Sequence, residues 1–530
     1  MAGFVDVLLR GLMLAGGAVA LGGVVFVLAV LRAAPDTKPD ARTARALRLV
    51  ALGAAAVALA QLVTTGVALA SLLQDFGAAA TAPFVRTTFA LATLARVTLG
   101  VTTALLAVSL VRAPRGRIAW LALTTTAVLL VGSSAAISHA MARLEHRALV
   151  MAVDIVHQLA AAIWVGGLIH LLATLRESDA LGRLPPPSPS ARTLARRFST
   201  LALVSVATLV TAGGGLSVAY LGDARALLET AYGVMVLTKV VLLGAILGLG
   251  VANFRLVRRA ATRPGDVRLA RFVEVETGLA VTVLFAAASL TSLPPAADVL
   301  ADRATLTEVG ARFTAMPPRL ASPAIGDLLQ QTNPLAGGPE TRLQVEREWS
   351  EFNHHWAGIF VLAMGLAAMA HRAGVREARH WPLLLVGLAL FLFVRNDPEV
   401  WPLGPIGFWS SLAQPEVLQH RAFMTLAMLF GVFEWAVRAG VLTPRPWAYV
   451  FPMICAVAGG LLLTHSHAVF NLKEAFLMEV THAPIGVLAA FAGWARWLEL
   501  RLPEAEPLAG RLWPACLTAV GILLILYSEG

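Results

Sequence analysis

The stretch DIVHQLAAAIWVGGLIH, residues 154–170, decides how the chain is read. It has the length and apolar density of most of a membrane-spanning helix. It also carries groups that a bilayer penalises: Asp154 and His157 near one end, His170 near the other, with Trp164 and the pair Gly166–Gly167 between them. Asp154, His157, Ala161, Trp164 and Leu168 follow steps of three and four, so they share one helical face. Ionisable groups in hydrocarbon are costly, and by default they face a partner, a cavity or a ligand. Gly166 and Gly167 are read as close-packing residues, since small side chains let membrane helices approach.

The rest of the chain fits that reading. Of its 530 residues 58% are hydrophobic and 14% charged, where soluble domains carry about 25% charged residues; the mean hydropathy is +0.73. Apolar runs long enough to cross a bilayer recur throughout. They predict an all-α, polytopic transmembrane helical bundle with spans near 5–31, 47–73, 87–111, 118–138, 149–175, 199–221, 230–254 and 272–293, then 355–371, 381–394, 419–437, 446–464, 477–497 and 512–528. That is about 14 spans, grouped eight and six. The domains read as 1–293, an eight-span membrane domain; 294–353, an outer (periplasmic) connecting segment; and 354–530, a six-span membrane domain. The first apolar run lacks a basic lead and a cleavage site, and is read as a span.

Orientation follows from Lys and Arg. The loops at 32–48, 112–117, 176–197, 255–271, 372–379, 438–445 and 496–511 hold 27 of the 42 and alternate with poor ones. Basic loops face the cytoplasm, which puts both termini outside. The net charge of +10 therefore belongs to a membrane lipid setting and gives no case for nucleic acid. The two cysteines, Cys455 and Cys516, exclude a disulfide framework and form no CxxC pair.

Most of the twelve histidines fall toward the outer face on this topology. Three constellations could carry chemistry. The first is the opening helix, where Lys239 and Arg96 lie at a depth comparable to Asp154 and His157; a buried acid beside either cation would relieve the desolvation of both. The second is LLLTHSHAVFNLKEAFLMEVTHAP, with His465 and His467 at the outer end of one span and Met478 and His482 at i, i+4 in the next. Imidazole suits several transition metals and thioether favours Cu(I), so this set points to copper before zinc. The third is EWSEFNHHWAG, where His354 and His355 sit about 100° apart on a helix, so that one could join the second site. Asp397, Glu399 and His420 could complete an outer cluster, and His139, Met141 and His146 form a weaker outer set. Glu274 and Glu276 open the eighth span and are expected to pair with Arg255, Arg258 or Arg271.

Three pieces, DIVHQLAAAIWVGGL, TAYGVMVLTKVVLLGAILGLGVANFRLV and RFVEVETGLAVTVL, follow in order. With them, residues 154–290 resemble the CopD family of bacterial inner-membrane copper resistance and copper transport proteins. The resemblance implies copper handling at the cytoplasmic membrane, an eight-span core, and a periplasmic copper carrier of the CopC type as a partner. It carries over His157 first, then Lys239 and Glu276. The last six spans lie outside it.

The expectation is a copper transport or copper homeostasis protein, not an enzyme, multi-pass in the bacterial inner membrane. Copper would be caught by His465, His467 and His482, with Met478, His354, His355 and His420 as further ligands. It would pass to His157, along a path that includes Asp154, Lys239, Arg96, Trp164 and Glu276. No Walker pattern and no Asp-Lys-Thr-Gly phosphorylation site is present, so movement would be downhill or coupled to an ion gradient. Two rivals stand beside it: a membrane electron carrier binding haem b through histidines of facing helices, and a non-transporting scaffold or sensor.

Overall fold

The computed structural model describes residues 2–32, 40–112, 116–143, 145–179, 189–259, 268–330, 339–464, 473–502 and 507–529. Among them the architecture is all-α, without strands. The long helices are α1 (Ala2–Val25, continued by the π-helical turn Phe26–Leu31), α2 (Ala41–Phe76), α3 (Thr88–Arg112), α4 (Gly116–Gly132), α5 (Arg147–Asp179), α6 (Pro189–Leu221), α7 (Ala231–Arg259) and α8 (Arg268–Leu290). After the connection come α9 (Pro339–Arg372), α10 (Leu383–Arg395), α11 (Pro415–Arg438), α12 (Val450–Thr464), α13 (His482–Arg501, preceded by Lys473–Glu479) and α14 (Pro507–Ile525). Twelve candidate spans among the described residues are long and apolar enough to cross a membrane. The other two expected spans are helical too, inside α9 and α11. His354, His355, His371 and Arg372 in the first, and Arg421, Glu434 and Arg438 in the second, dilute their apolar runs.

Local chemistry sets several helix ends. Asp40 caps α2, its carboxylate accepting from the Thr43 N–H at 2.8 Å. Gly77 closes the same helix at φ 69°, a conformation that side chains other than glycine rarely adopt.

The chain divides into two compact units, Met1–Arg303 with Leu463–Lys473, and Ala304–Leu462 with Glu474–Gly530. In the first, α1 is central and packs on α2, α4, α5 and α8, while α6 lies against α5 and α7 against α8. Glycines permit the closest crossings. A Cβ on Gly166 would meet the Ala18 carbonyl and Gly22 backbone of α1, and a Cβ on Gly167 would meet the Phe198 ring. The opening stretch is thus held against α1 by the absence of a side chain.

In the second unit α14 packs between α9 and α13, and α10 pairs with α11. Trp381, Phe451 and Trp513 form its core, with the Arg438 guanidinium 4.6 Å from the Trp381 ring centroid. The connecting segment is divided between the units. Its first residues stay with the first unit, where Arg303 grips Asp223 and Glu229 at 2.6 Å. Arg303 holds the Asp223 carboxyl well below the usual carboxylate range. The later residues carry a capping box, Thr305 with Glu308.

Candidate functional site

The ionisable groups of the opening stretch face a cavity of about 220 Å³ inside the first unit. Asp154, His157, Gln158 and Ala161 line it from α5, Arg96 from α3, Lys239 from α7, and Arg10 and Met13 from α1. His139, Tyr220 and Tyr232 meet at another part of its wall, their ring centroids 6.1–6.5 Å apart. Asp154, His157, Lys239 and Arg96 therefore share one chamber. Trp164 is buried, 3% exposed, on the same helix but does not line the cavity.

The charges are held in different ways. Asp154 accepts a 2.7 Å hydrogen bond from the Ser138 hydroxyl. Lys239 attracts Asp154 across the chamber with no direct ion pair between them. Arg96 is 4% exposed and surrounded by neutral acceptors. Its Nε donates to Gln61 Oε1 at 2.9 Å and its Nη1 to Ser134 at 2.8 Å and Ser133 at 3.3 Å, while its Nη2 lies 3.9 Å from Met13 Sδ. The pairing of Arg96 with an acid, expected from depth alone, is replaced by this polar cradle. Arg10 is neutralised by Asp6 at 2.6 Å.

His157 is arranged as a donor atom. Its Nδ1 lies 3.1 Å from the Leu209 carbonyl, which can only accept, so Nδ1 carries the proton and Nε2 keeps the lone pair. A backbone acceptor on one ring nitrogen is how metal-ligating imidazoles are oriented. His170, about 20 Å further along the helix, donates from Nε2 to the Val19 carbonyl at 3.0 Å; its Nδ1 is buried with no hydrogen-bond partner among the described residues.

In the second unit His354 and His482 lie beside Tyr527. The His354 ring stacks on Tyr527 at 3.9 Å and stands 6.2 Å from His482 between centroids. His354 Nδ1 donates to the Ser350 carbonyl at 2.8 Å, leaving Nε2 as the lone-pair nitrogen. His355 has both nitrogens engaged: Nδ1 accepts from the Arg319 N–H at 2.7 Å and Nε2 donates to the Tyr527 carbonyl at 2.8 Å. His420 is held by Asp397 at 2.7 Å and Asn396 at 2.8 Å. His465 and His467 lie outside the described residues, as does the side chain of Met478. Among the described residues no three His, Cys, Asp or Glu side chains gather as a metal-binding group.

Residues 192–290, which cover most of α6 and all of α7 and α8, match the family model for copper resistance protein D. Through this segment the chain is similar to the copper resistance protein D family. Copper transport protein CutJ of Bacillus subtilis (strain 168) is 32% identical over 150 residues, which is 28% of this chain and 26% of that relative. The chain thus matches about a quarter of the curated relative's length. No solved structure matches. The twelve helices among the described residues that are long and apolar enough to cross a membrane fit a multi-pass membrane protein. Lys239, Asn253 and Glu276 lie inside the matched residues; Asp154 and His157 lie before them.

Sequence reasoning missed Met13, Gln61, Ser138 and Asn253. A polar residue inside an apolar run was the available signal for Gln61 and Asn253. Nothing in the sequence distinguishes Met13 from a packing methionine.

Proposed function

We propose that the protein carries copper across the cytoplasmic membrane, with the chamber of the first unit as its station inside the bilayer. The observation that carries this reading is the His157 ring, oriented by the Leu209 carbonyl so that Nε2 is the open donor. The Met13 thioether and Asp154 line the same chamber, and thioether and imidazole are ligand types that suit copper. A bundle that binds cargo with few ligands also releases it readily, as a pathway requires. His354 and His482 of the second unit form a capture station in this reading, and His465, His467 and Met478 are further candidate ligands on their sequence spacing alone. A periplasmic carrier of the CopC type would supply it. The named copper transport relative and the family support the cargo.

The test is copper uptake into vesicles reconstituted with the purified full chain. Wild type fills faster than empty vesicles, His157→Ala falls to the empty-vesicle rate, and the His465→Ala/His467→Ala pair is slowed at low copper. Uptake by wild type no faster than by empty vesicles removes the transport reading. A sample that carries haem by absorption spectrum would favour an electron carrier instead.

A further inference from the structure

Glu276 stands on α8, eight residues in from its Arg268 end and only 6% exposed. Its hydrogen-bond partner among the described residues is Asn253 of α7, whose Nδ2 donates to Oε2 at 2.7 Å. Asn253 is itself 8% exposed, and its Oδ1 is buried without a hydrogen-bond partner. Bare backbone flanks the other side, since a Cβ on Gly250 would lie 3.5 Å from Glu276 Oε1.

Two cations near this carboxyl are used elsewhere. Arg271 Nη1 lies 2.9 Å and Arg176 Nε 3.7 Å from Glu274 Oε1. Helix α8 packs on α1, α5 and α7. Among the described side chains, the ionisable groups these helices bring toward its basic-loop half are His170 and Arg176 from α5 and the exposed Arg255 from α7, and the facing half of α1 brings none; the side chains of Arg258 and Arg259 at the end of α7, and of Glu177 and Asp179 at the end of α5, lie outside the described ones. None of the described groups pairs with Glu276.

Two needs therefore meet at one place. A carboxyl group lies in the membrane without a cation, and an amide oxygen lies buried without a donor. One proton answers both. With the proton on Oε1, Glu276 donates to Asn253 Oδ1 while Asn253 Nδ2 donates to Oε2, a closed acid–amide pair. A metal cation fits less well: hard cations take six or more oxygens, and copper prefers imidazole and sulfur.

We infer that Glu276 and Asn253 form a proton-binding site, which takes its proton from water at the basic-loop end of the bundle and returns it there. Loading makes one O–H bond on Glu276 and unloading breaks it, so the exchange needs no other reactant. This goes beyond the copper reading and does not depend on it. In a transporter without a nucleotide site, it supplies a place for a second ion.

The experiment uses the full chain in lipid vesicles without copper, followed by infrared difference spectroscopy through a pH titration. The expected result is a carboxylic-acid carbonyl band that shifts in deuterated water and fades as the pH rises. It is lost in Glu276→Gln, kept in Glu276→Asp and moved in Asn253→Leu. The last two variants decide the matter should Glu276→Gln fail to fold. A wild type without the band, a band that survives Glu276→Gln, or a band that never titrates overturns the site. A band removed by sodium at constant pH also overturns it, in favour of a metal cation.

Discussion

The Nδ1–H of His157 donates to the Leu209 carbonyl at 3.1 Å, and this one bond decides which nitrogen the chamber receives. Replacing His157 with Ala removes the donor and opens space in a wall already hollow, so folding suffers little, about 1 kcal/mol for the lost hydrogen bond. Copper uptake into vesicles is expected to fall at least tenfold. A variant that melts like wild type and still takes up copper at the wild-type rate would remove His157 from the pathway.

Gly213 supports the same ring from α6. A Cβ there would lie 3.0 Å from His157 Cε1 and 3.2 Å from Nδ1, tighter than ordinary contact, whereas one on Gly214 would meet nothing within 4 Å. Gly213→Ala should therefore turn the imidazole away from Leu209 and slow uptake severalfold. Gly214→Ala serves as the matched control and should behave as wild type. Equal rates for the two variants would mean that the ring orientation does not matter.

Arg96 tests the polar cradle. Its fork holds Gln61 and Ser134 in one arrangement, and a lysine cannot reproduce two directed bonds. Arg96→Leu leaves those partners buried without a donor, at about 1–3 kcal/mol for each unsatisfied group. A clear drop in melting temperature in detergent is expected for Arg96→Leu and a smaller one for Arg96→Lys. Unchanged melting in both would show that the neighbours rearrange without cost.

Much of this chamber was legible from helix periodicity. Asp154 and His157 are three residues apart, so any helix places them together, and residue depth brought Lys239 and Arg96 to the same level. The partners were not legible. Ser138 reaches Asp154 from a short turn whose position depends on tertiary packing. Glu276 was expected to take an arginine, but Arg271 is three residues before Glu274 and five before Glu276. Only the first spacing lies on one helical face, so Glu274 takes the cation and Glu276 is left with an amide. His355 and His354 looked alike in sequence; one faces two backbone groups and the other one.

His139, between two spans, gives a pH dependence. Burial lowers its pKa from the ordinary 6.5, and Arg10 adds to this, against smaller opposing effects from the Leu290 backbone, Asp298 and Asp154. The folded state therefore disfavours the protonated ring. Its stabilising contribution is complete above the unfolded value and is lost as the pH falls below it, because the unfolded chain then binds more protons. Melting temperature should decline from pH 7.5 to pH 5.5 (values of the order of the histidine range), and His139→Gln should flatten that decline. A His139→Gln profile parallel to wild type would assign the acid sensitivity elsewhere.

The adjacent pair His354 and His355 separates ligand from scaffold. Both nitrogens of His355 are bound to backbone, to Arg319 N–H at 2.7 Å and to the Tyr527 carbonyl at 2.8 Å, so the ring ties α9 to the chain after α14 and has no lone pair left. Loss of that ring strands the partly buried Arg319 amide and the buried Tyr527 carbonyl, and His355→Ala should cost about 2 kcal/mol of stability. His354 spends only Nδ1, on the Ser350 carbonyl at 2.8 Å, and its ring lies flat on Tyr527 near His482. His354→Ala should weaken copper binding in a titration of the purified protein by about tenfold, roughly 1.4 kcal/mol, with a smaller loss of stability. The order of the two effects is the test. If His355→Ala loses copper while its melting temperature is unchanged, the two histidines have exchanged the roles that their hydrogen bonds assign.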